Sequence, residues 1–137
     1  MLWVFDVDGC LIDSLTGRSL RPGAAELLAR LREAGHGVVL WSAGGAGYAQ
    51  QRAEHHGLTD HVDAFHGKDG RDAHRRYLTG AFSDDLATVV FVDDRPEDMP
   101  LGATVISVSP YISHNPHDRA LREVLATVLP RRGPSRQ

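Results

Sequence analysis

The sequence predicts an α/β fold: a central, mostly parallel five-stranded sheet with helices on its faces. Three observations carry this. Short apolar runs rich in Val and aromatic residues recur at 2–7, 37–41 and 88–92, and runs of that length read as buried strands. Segments with apolar residues at helical spacing lie between them, and a strand–helix–strand rhythm requires parallel crossovers. Finally, the first and fourth strand candidates run straight into acids, Asp6 and Asp8 in one case and Asp93-Asp94 in the other. In open parallel sheets that carboxyl edge is where ligands bind.

The elements follow in order. Residues 2–7 form the first strand. Residues 22–34 form a helix with Leu27, Leu28 and Leu31 on one face, Pro22 in its first turn and Gly35 as its stop. Residues 37–41 are the second strand, and 46–56 a helix closed by Gly57. Residues 62–65 make a short third strand and 72–78 a helix. The fourth strand, 88–92, is strongly apolar, and 104–108 is the last. Asn115-Pro116 then caps a helix to 129, with Leu121, Val124, Leu125 and Val128 as its stripe. Residues 1–129 read as one domain and 130–137 as a short basic tail, frayed and solvated.

Composition excludes several classes. A formal net charge of -3 gives no general attraction to anionic membranes and argues against a nucleic-acid groove. Cys10 is the sole cysteine, so no intrachain disulfide forms and a reducing interior is the natural setting. No apolar stretch reaches the roughly 18–20 residues of a membrane span. Asp6 and Asp8 interrupt the one apolar run near the N-terminus, where no basic leader stands, so the expected location is the cytoplasm.

The strand ends collect the chemistry. Asp6 and Asp8 follow the first strand; Ser42-Ala43-Gly44-Gly45 follows the second; Lys68 lies in His66-Gly67-Lys68-Asp69-Gly70; Asp93 and Asp94 follow the fourth. A parallel sheet turns all these ends to one edge, so four acids, a hydroxyl and a lysine converge. Acids so close repel, and a divalent cation is the natural compensation. The set suits phosphoryl transfer. A carboxylate nucleophile needs the phosphate's charge neutralised. A neighbouring acid can protonate the leaving oxygen and later take a proton from water. A hydroxyl, backbone N–H groups and a lysine can hold the phosphoryl oxygens.

This pattern strongly resembles the haloacid dehalogenase superfamily of phosphohydrolases. Asp6-Val7-Asp8-Gly9 resembles the first motif, D-x-D-G after an apolar strand, and Ser42, Lys68 and Asp93-Asp94 stand at the second, third and fourth motifs in the family's order. The resemblance implies a Rossmann-like three-layer α/β/α sandwich and a Mg²⁺-dependent phosphatase. It implies that Asp6 is the nucleophile forming an aspartyl-phosphate and Asp8 the general acid/base, whose backbone carbonyl also binds Mg²⁺. Ser42 and Lys68, with Ala43 and Gly44, would hold the phosphoryl group. Asp94 is the expected direct metal ligand and Asp93 a metal or lysine partner, an order the sequence leaves open. One departure is Cys10, where the family most often has Thr; its expected role is inert packing.

The family usually selects substrates with an inserted cap. Asp8 and Ser42 are separated by one helix and one strand, and Ser42 and Lys68 by the same, so neither gap admits a cap domain. The resemblance then implies an open site that serves a small phosphate monoester, or a macromolecule such as a phosphoprotein or a nucleic-acid 3'-phosphate end. A neighbouring subunit of a homo-oligomer is another source of a lid. Arg18 and Arg21 read as solvated charges or local substrate contacts, Trp41 as a pocket or core residue, and Tyr111 and His114 as candidates for the crevice rim.

Other readings are weaker. A receiver-type switch places its acidic pair early and its lysine last, the reverse of this order. A catalytically silent scaffold of the same fold would be marked by loss of Asp6 or Asp8, and both are present. Gly45-Ala46-Gly47 lacks the third glycine of a dinucleotide fingerprint, because position 50 is Gln50. Glu54-His55-His56 and His114-x-x-His117 match no zinc spacing.

Overall fold

The computed structural model describes residues 1–68, 88–95 and 104–128. Five strands are present: β1 (Leu2–Asp6), β2 (Gly37–Ser42), β3 (Ala64–Gly67), β4 (Val89–Asp93) and β5 (Thr104–Ser107). They form one sheet in the order β3-β2-β1-β4-β5, and every pairing is parallel. Among the described residues three α-helices accompany them: α1 (Ala24–Glu33), α2 (Ala46–His55) and α3 (Ala120–Val128). The α/β Rossmann-like class expected from the sequence is the class observed. The helix expected at 72–78 and the tail at 130–137 lie outside the described residues.

Strand alternation divides the core. Trp3, Phe5, Val38, Leu40, Val90 and Val92 face one side, where Leu27, Leu28 and Leu31 of α1, Ala49 and Ala53 of α2, and Leu121, Val124 and Leu125 of α3 cover them. Val4, Val39, Trp41, Val89 and Phe91 face the other side and are equally buried. Strands buried on both faces read as continuous apolar runs, which is why β1, β2 and β4 were visible in the sequence.

Three elements begin two or more residues later than expected. Helix α1 begins at Ala24 rather than Pro22, because Gly23 takes a left-handed conformation (φ 88°) and separates the proline from the helix. Strand β3 begins two residues later than expected. The amide of Val62 instead closes the short 3-10 turn Thr59–His61 and that of Asp63 donates to the Val38 carbonyl. Helix α3 starts at Ala120, not after Asn115-Pro116. The Asn115 side chain accepts from the His117 amide and its carbonyl from the Asp118 amide, a turn in its own right. The carboxylate of Asp118 instead accepts from the Ala120 amide at the helix start.

Asp118 also explains Arg21, which is neither a solvated charge nor a substrate contact. The Arg21 side chain is fully buried and pairs with Asp118 through two hydrogen bonds, Nε to Oδ1 at 2.8 Å and Nη2 to Oδ2 at 3.1 Å. Its other donors reach the carbonyls of Cys10 and Ser109, and its guanidinium lies over the Tyr111 ring. The strut joins the loop after β1, the loop after β5 and the start of α3. Arg21 holds the Asp118 carboxyl below its usual range against the opposing pull of burial. Removing one partner of a buried pair leaves the other charge unpaired, at a cost of about 3–5 kcal/mol. Asp118→Ala is therefore expected to lose about that much stability in denaturant titrations, whereas Arg18→Ala, at an exposed position, changes it little.

Candidate active site

Register sets the site. Asp6 pairs with Trp41 across β1 and β2, Ser42 with Gly67 across β2 and β3, and Phe5 with Val92 across β1 and β4. Asp6, Ser42, Lys68 and Asp93 thus leave the sheet at the same edge. After β1 the chain adds β2 and β3 on one side, then returns to place β4 and β5 on the other. The crevice between β1 and β4 is the topological switch point, where open α/β sheets bind ligands.

Lys68 joins the acids. Its Nζ lies 2.9 Å from Asp6 Oδ1 and 3.2 Å from Asp93 Oδ2, and it sits 5.0 Å above the Trp41 ring. Its backbone amide donates to the Ser42 carbonyl, which fixes the lysine's origin beside β2. Asp93 is 1% exposed and also accepts from the Arg95 amide. Asp6, Asp93 and Asp94 each offer a carboxylate oxygen, all within 4.8 Å of one another. Burial pushes the Asp6 carboxyl up to about 7; Lys68 opposes this, and Asp93 and Asp94 add to it. One lysine does not balance this cluster. Three hard oxygen donors with surplus negative charge suit Mg²⁺.

Gly9 lets the loop after β1 close over the cluster. Its φ is 82°, and a Cβ there would lie 2.8 Å from Asp94 Oδ2. Cys10 is buried in the core with its Sγ donating to the Val92 carbonyl at 3.6 Å, and burial pushes its thiol well up. A buried, protonated thiol packs inertly, as expected. After β2, Ser42 is buried while Ala43 and Gly44 are exposed, and the Gly44 amide donates to Ser42 Oγ.

Asp8 stands apart from the acid cluster. It is half-buried, and its Oδ1 accepts a 2.8 Å hydrogen bond from the Tyr48 hydroxyl. Tyr48 was not anticipated from sequence. The available signal was its position in the first turn of the helix that opens just after Ser42-Ala43-Gly44-Gly45. The crevice is a cleft of about 620 Å³ lined by Asp6, Asp8, Ser42, Lys68, Asp93 and Asp94, with Ser14, Ala43, Arg95, Pro110 and Ile112 at its sides. All of the expected site residues except Gly44 line it. Tyr111 does not: it is buried against Arg21, and its neighbours Pro110 and Ile112 form the rim. Trp41 is a core residue packed on Phe91 that also supports Lys68.

The profile of one family, NLI interacting factor-like phosphatase, matches residues 2–131. The chain belongs to that family. It is a phosphatase of the haloacid dehalogenase type, as its motifs implied, and between Asp8 and Lys68 this family member carries no inserted cap. No curated protein sequence matches significantly. Among solved structures, a hypothetical protein from Xanthomonas campestris is 25% identical, with a TM-score of 0.57 over 93% of this chain and 80% of that one. D,D-heptose 1,7-bisphosphate phosphatase from B. bronchiseptica, solved with magnesium and phosphate, is 20% identical (TM-score 0.59; 92% and 98% covered). A 3-deoxy-D-manno-octulosonate 8-phosphate phosphatase from Moraxella catarrhalis, solved with magnesium, phosphate and KDO, is 16% identical (TM-score 0.57; 93% and 84% covered). The last two likenesses establish the shared fold. No helix among the described residues is long and apolar enough to cross a membrane.

The crowding of acids has a measurable effect on the phosphatase without metal. An acid whose folded pKa exceeds its ordinary value takes up a proton on folding, so stability falls as pH rises between the two. For Asp6 that window runs from 3.8 to about 7. With EDTA present, the melting temperature of Asp6→Asn relative to wild type is expected to rise across this window, because the asparagine carries no such penalty.

Proposed function

We propose that this protein hydrolyses a phosphate monoester through an aspartyl-phosphate on Asp6, with Asp8 as general acid/base and Mg²⁺ as cofactor. The observation that carries the reading is the joint placement of Asp6, Lys68, Asp93 and Asp94 at the floor of an open cleft.

The residues divide the work. A carboxylate oxygen of Asp6 attacks phosphorus as the bond to the leaving oxygen breaks. Asp8 gives that oxygen a proton, then takes one from the water that hydrolyses the acyl phosphate. Lys68 and Ser42, with the exposed Ala43 and Gly44 backbone beside them, hold the phosphoryl oxygens. Asp94, Asp6 and the Asp8 backbone carbonyl would hold the metal. Asp93 is committed to Lys68 and the Arg95 amide, which favours Asp94 as the direct ligand. When bound, Mg²⁺ supplies charge neutralisation for the phosphate and for the acids around it.

The bound magnesium and phosphate of the heptose bisphosphate phosphatase fit this reading. A small phosphate monoester is the first candidate substrate. A macromolecular phosphate, as on a phosphoprotein, has one observation in its favour: Ile112, 59% exposed, lines the cleft, and its carbonyl accepts from the amide of Leu15, which is 72% exposed. Exposed apolar side chains beside a polar site suit a substrate with apolar groups near its phosphate.

Hydrolysis of an aryl phosphate with Mg²⁺, with EDTA and with the Asp6→Asn protein tests the chemistry. Turnover is expected only for wild type with Mg²⁺; wild-type turnover by Asp6→Asn would remove the nucleophile assignment. Mg²⁺ at about 100 times its Kd is expected to stabilise the protein by about 2.7 kcal/mol. Thermal melts should show Asp94→Asn losing most of that gain. An equal gain in Asp94→Asn would exclude it as a ligand.

A further inference from the structure

We propose that Tyr48 is a positioning residue for the proton-transfer step. Its hydroxyl holds the Asp8 carboxyl at the side of the cleft, out of the acid cluster, where it can exchange a proton with the leaving oxygen. This inference rests on the reading of Asp8 as general acid/base.

The geometry is specific. Asp8 is anchored through its backbone, which bridges to Ile12, but a backbone bridge leaves the carboxyl free to rotate. A carboxyl two residues from Asp6 has an obvious competing place, among the oxygens of Asp6, Asp93 and Asp94. It is not found there. The Tyr48 hydroxyl, 2.8 Å from Oδ1, gives it another partner.

Tyr48 is itself held from several sides. Its ring lies against Gly44, where a Cβ would sit only 3.0 Å from the ring carbons, and Arg52 lies over it at 6.0 Å. A phenol hydroxyl facing a carboxylate oxygen is the donor of the pair.

The hydrogen bond favours the transition state over the ground state. Oδ1 accepts from Tyr48, so the transferable proton rides on Oδ2. As Asp6 attacks and the phosphorus–oxygen bond breaks, the Oδ2–H bond breaks too. Its proton goes to the leaving oxygen, and its electron pair stays on Asp8 as a carboxylate. Tyr48 keeps its own proton and donates to a group that is gaining negative charge, so its hydrogen bond strengthens as the proton departs. The benefit therefore grows with the basicity of the leaving group. A nitrophenolate leaves with little protonation, whereas an alkoxide requires it.

The test measures kcat/KM for 4-nitrophenyl phosphate and for a series of aryl and alkyl phosphates with increasingly basic leaving groups. Wild type, Tyr48→Phe, Asp8→Asn and the double variant are compared with Mg²⁺ present. Asp8→Asn is expected to lose most on alkyl phosphates and so to steepen the dependence on leaving-group pKa. Tyr48→Phe is expected to steepen it less, with about tenfold loss on alkyl phosphates and a loss several-fold smaller on 4-nitrophenyl phosphate. In the Asp8→Asn background it should add almost nothing. Substituting 4-aminophenylalanine, which restores an N–H donor on the same ring, should recover alkyl turnover.

A uniform loss across the series, no loss, or a failure of that rescue overturns the role of Tyr48 while leaving Asp8 in place. If Asp8→Asn itself leaves the leaving-group dependence unchanged, the acid/base reading falls, and the role of Tyr48 falls with it.

Discussion

The contact between Lys68 and the carboxylates of Asp6 and Asp93 is the constraint around which the molecule is arranged. Three strands must end in register to create it: β1 for Asp6, β4 for Asp93, and β3 for the lysine that follows it. Buried carboxylates are costly unless paired, and a lysine emerging between them makes their burial tolerable. Lys68 bonds Asp6 and Asp93, while Asp94 offers a third carboxylate within 4.8 Å of both. Under the proposed function, a divalent ion would offset the surplus of negative charge.

The fold serves this imbalance by making it rigid. Apolar residues on both faces of β1, β2 and β4 lock the strands that carry the acids. Gly9 allows the loop after β1 to lie directly on Asp94, and Trp41 supports Lys68 from below. Among the described residues no cap covers the cleft, because the connections on either side of Ser42 hold only single helices and short turns. Arg95 and Ile112 are exposed where they line it.

Much of this was legible in the sequence, for a physical reason. Asp6, Asp8, Ser42, Lys68, Asp93 and Asp94 follow short apolar runs, and in a parallel sheet the end of a run also gives its position in space. What escaped reading depends on tertiary partners. Arg21 looks like any surface arginine until Asp118 is brought to it. Asn115-Pro116 and Asp118 carry similar local signals for a helix start, and only the structure shows that Asp118 caps α3 while pairing with Arg21. Tyr48 reads as an ordinary aromatic on an amphipathic helix, because the Asp8 it reaches lies 40 residues away.

The Arg21–Asp118 strut spans 97 residues of chain. During synthesis Asp118 emerges after β1 and its acids and after every strand of the sheet. Until it arrives, Arg21 has no counter-charge to enter the interior with, and the Cys10 carbonyl it holds is not fixed. A chain that stops short of Asp118 carries Asp6 and Asp8 without the brace behind them.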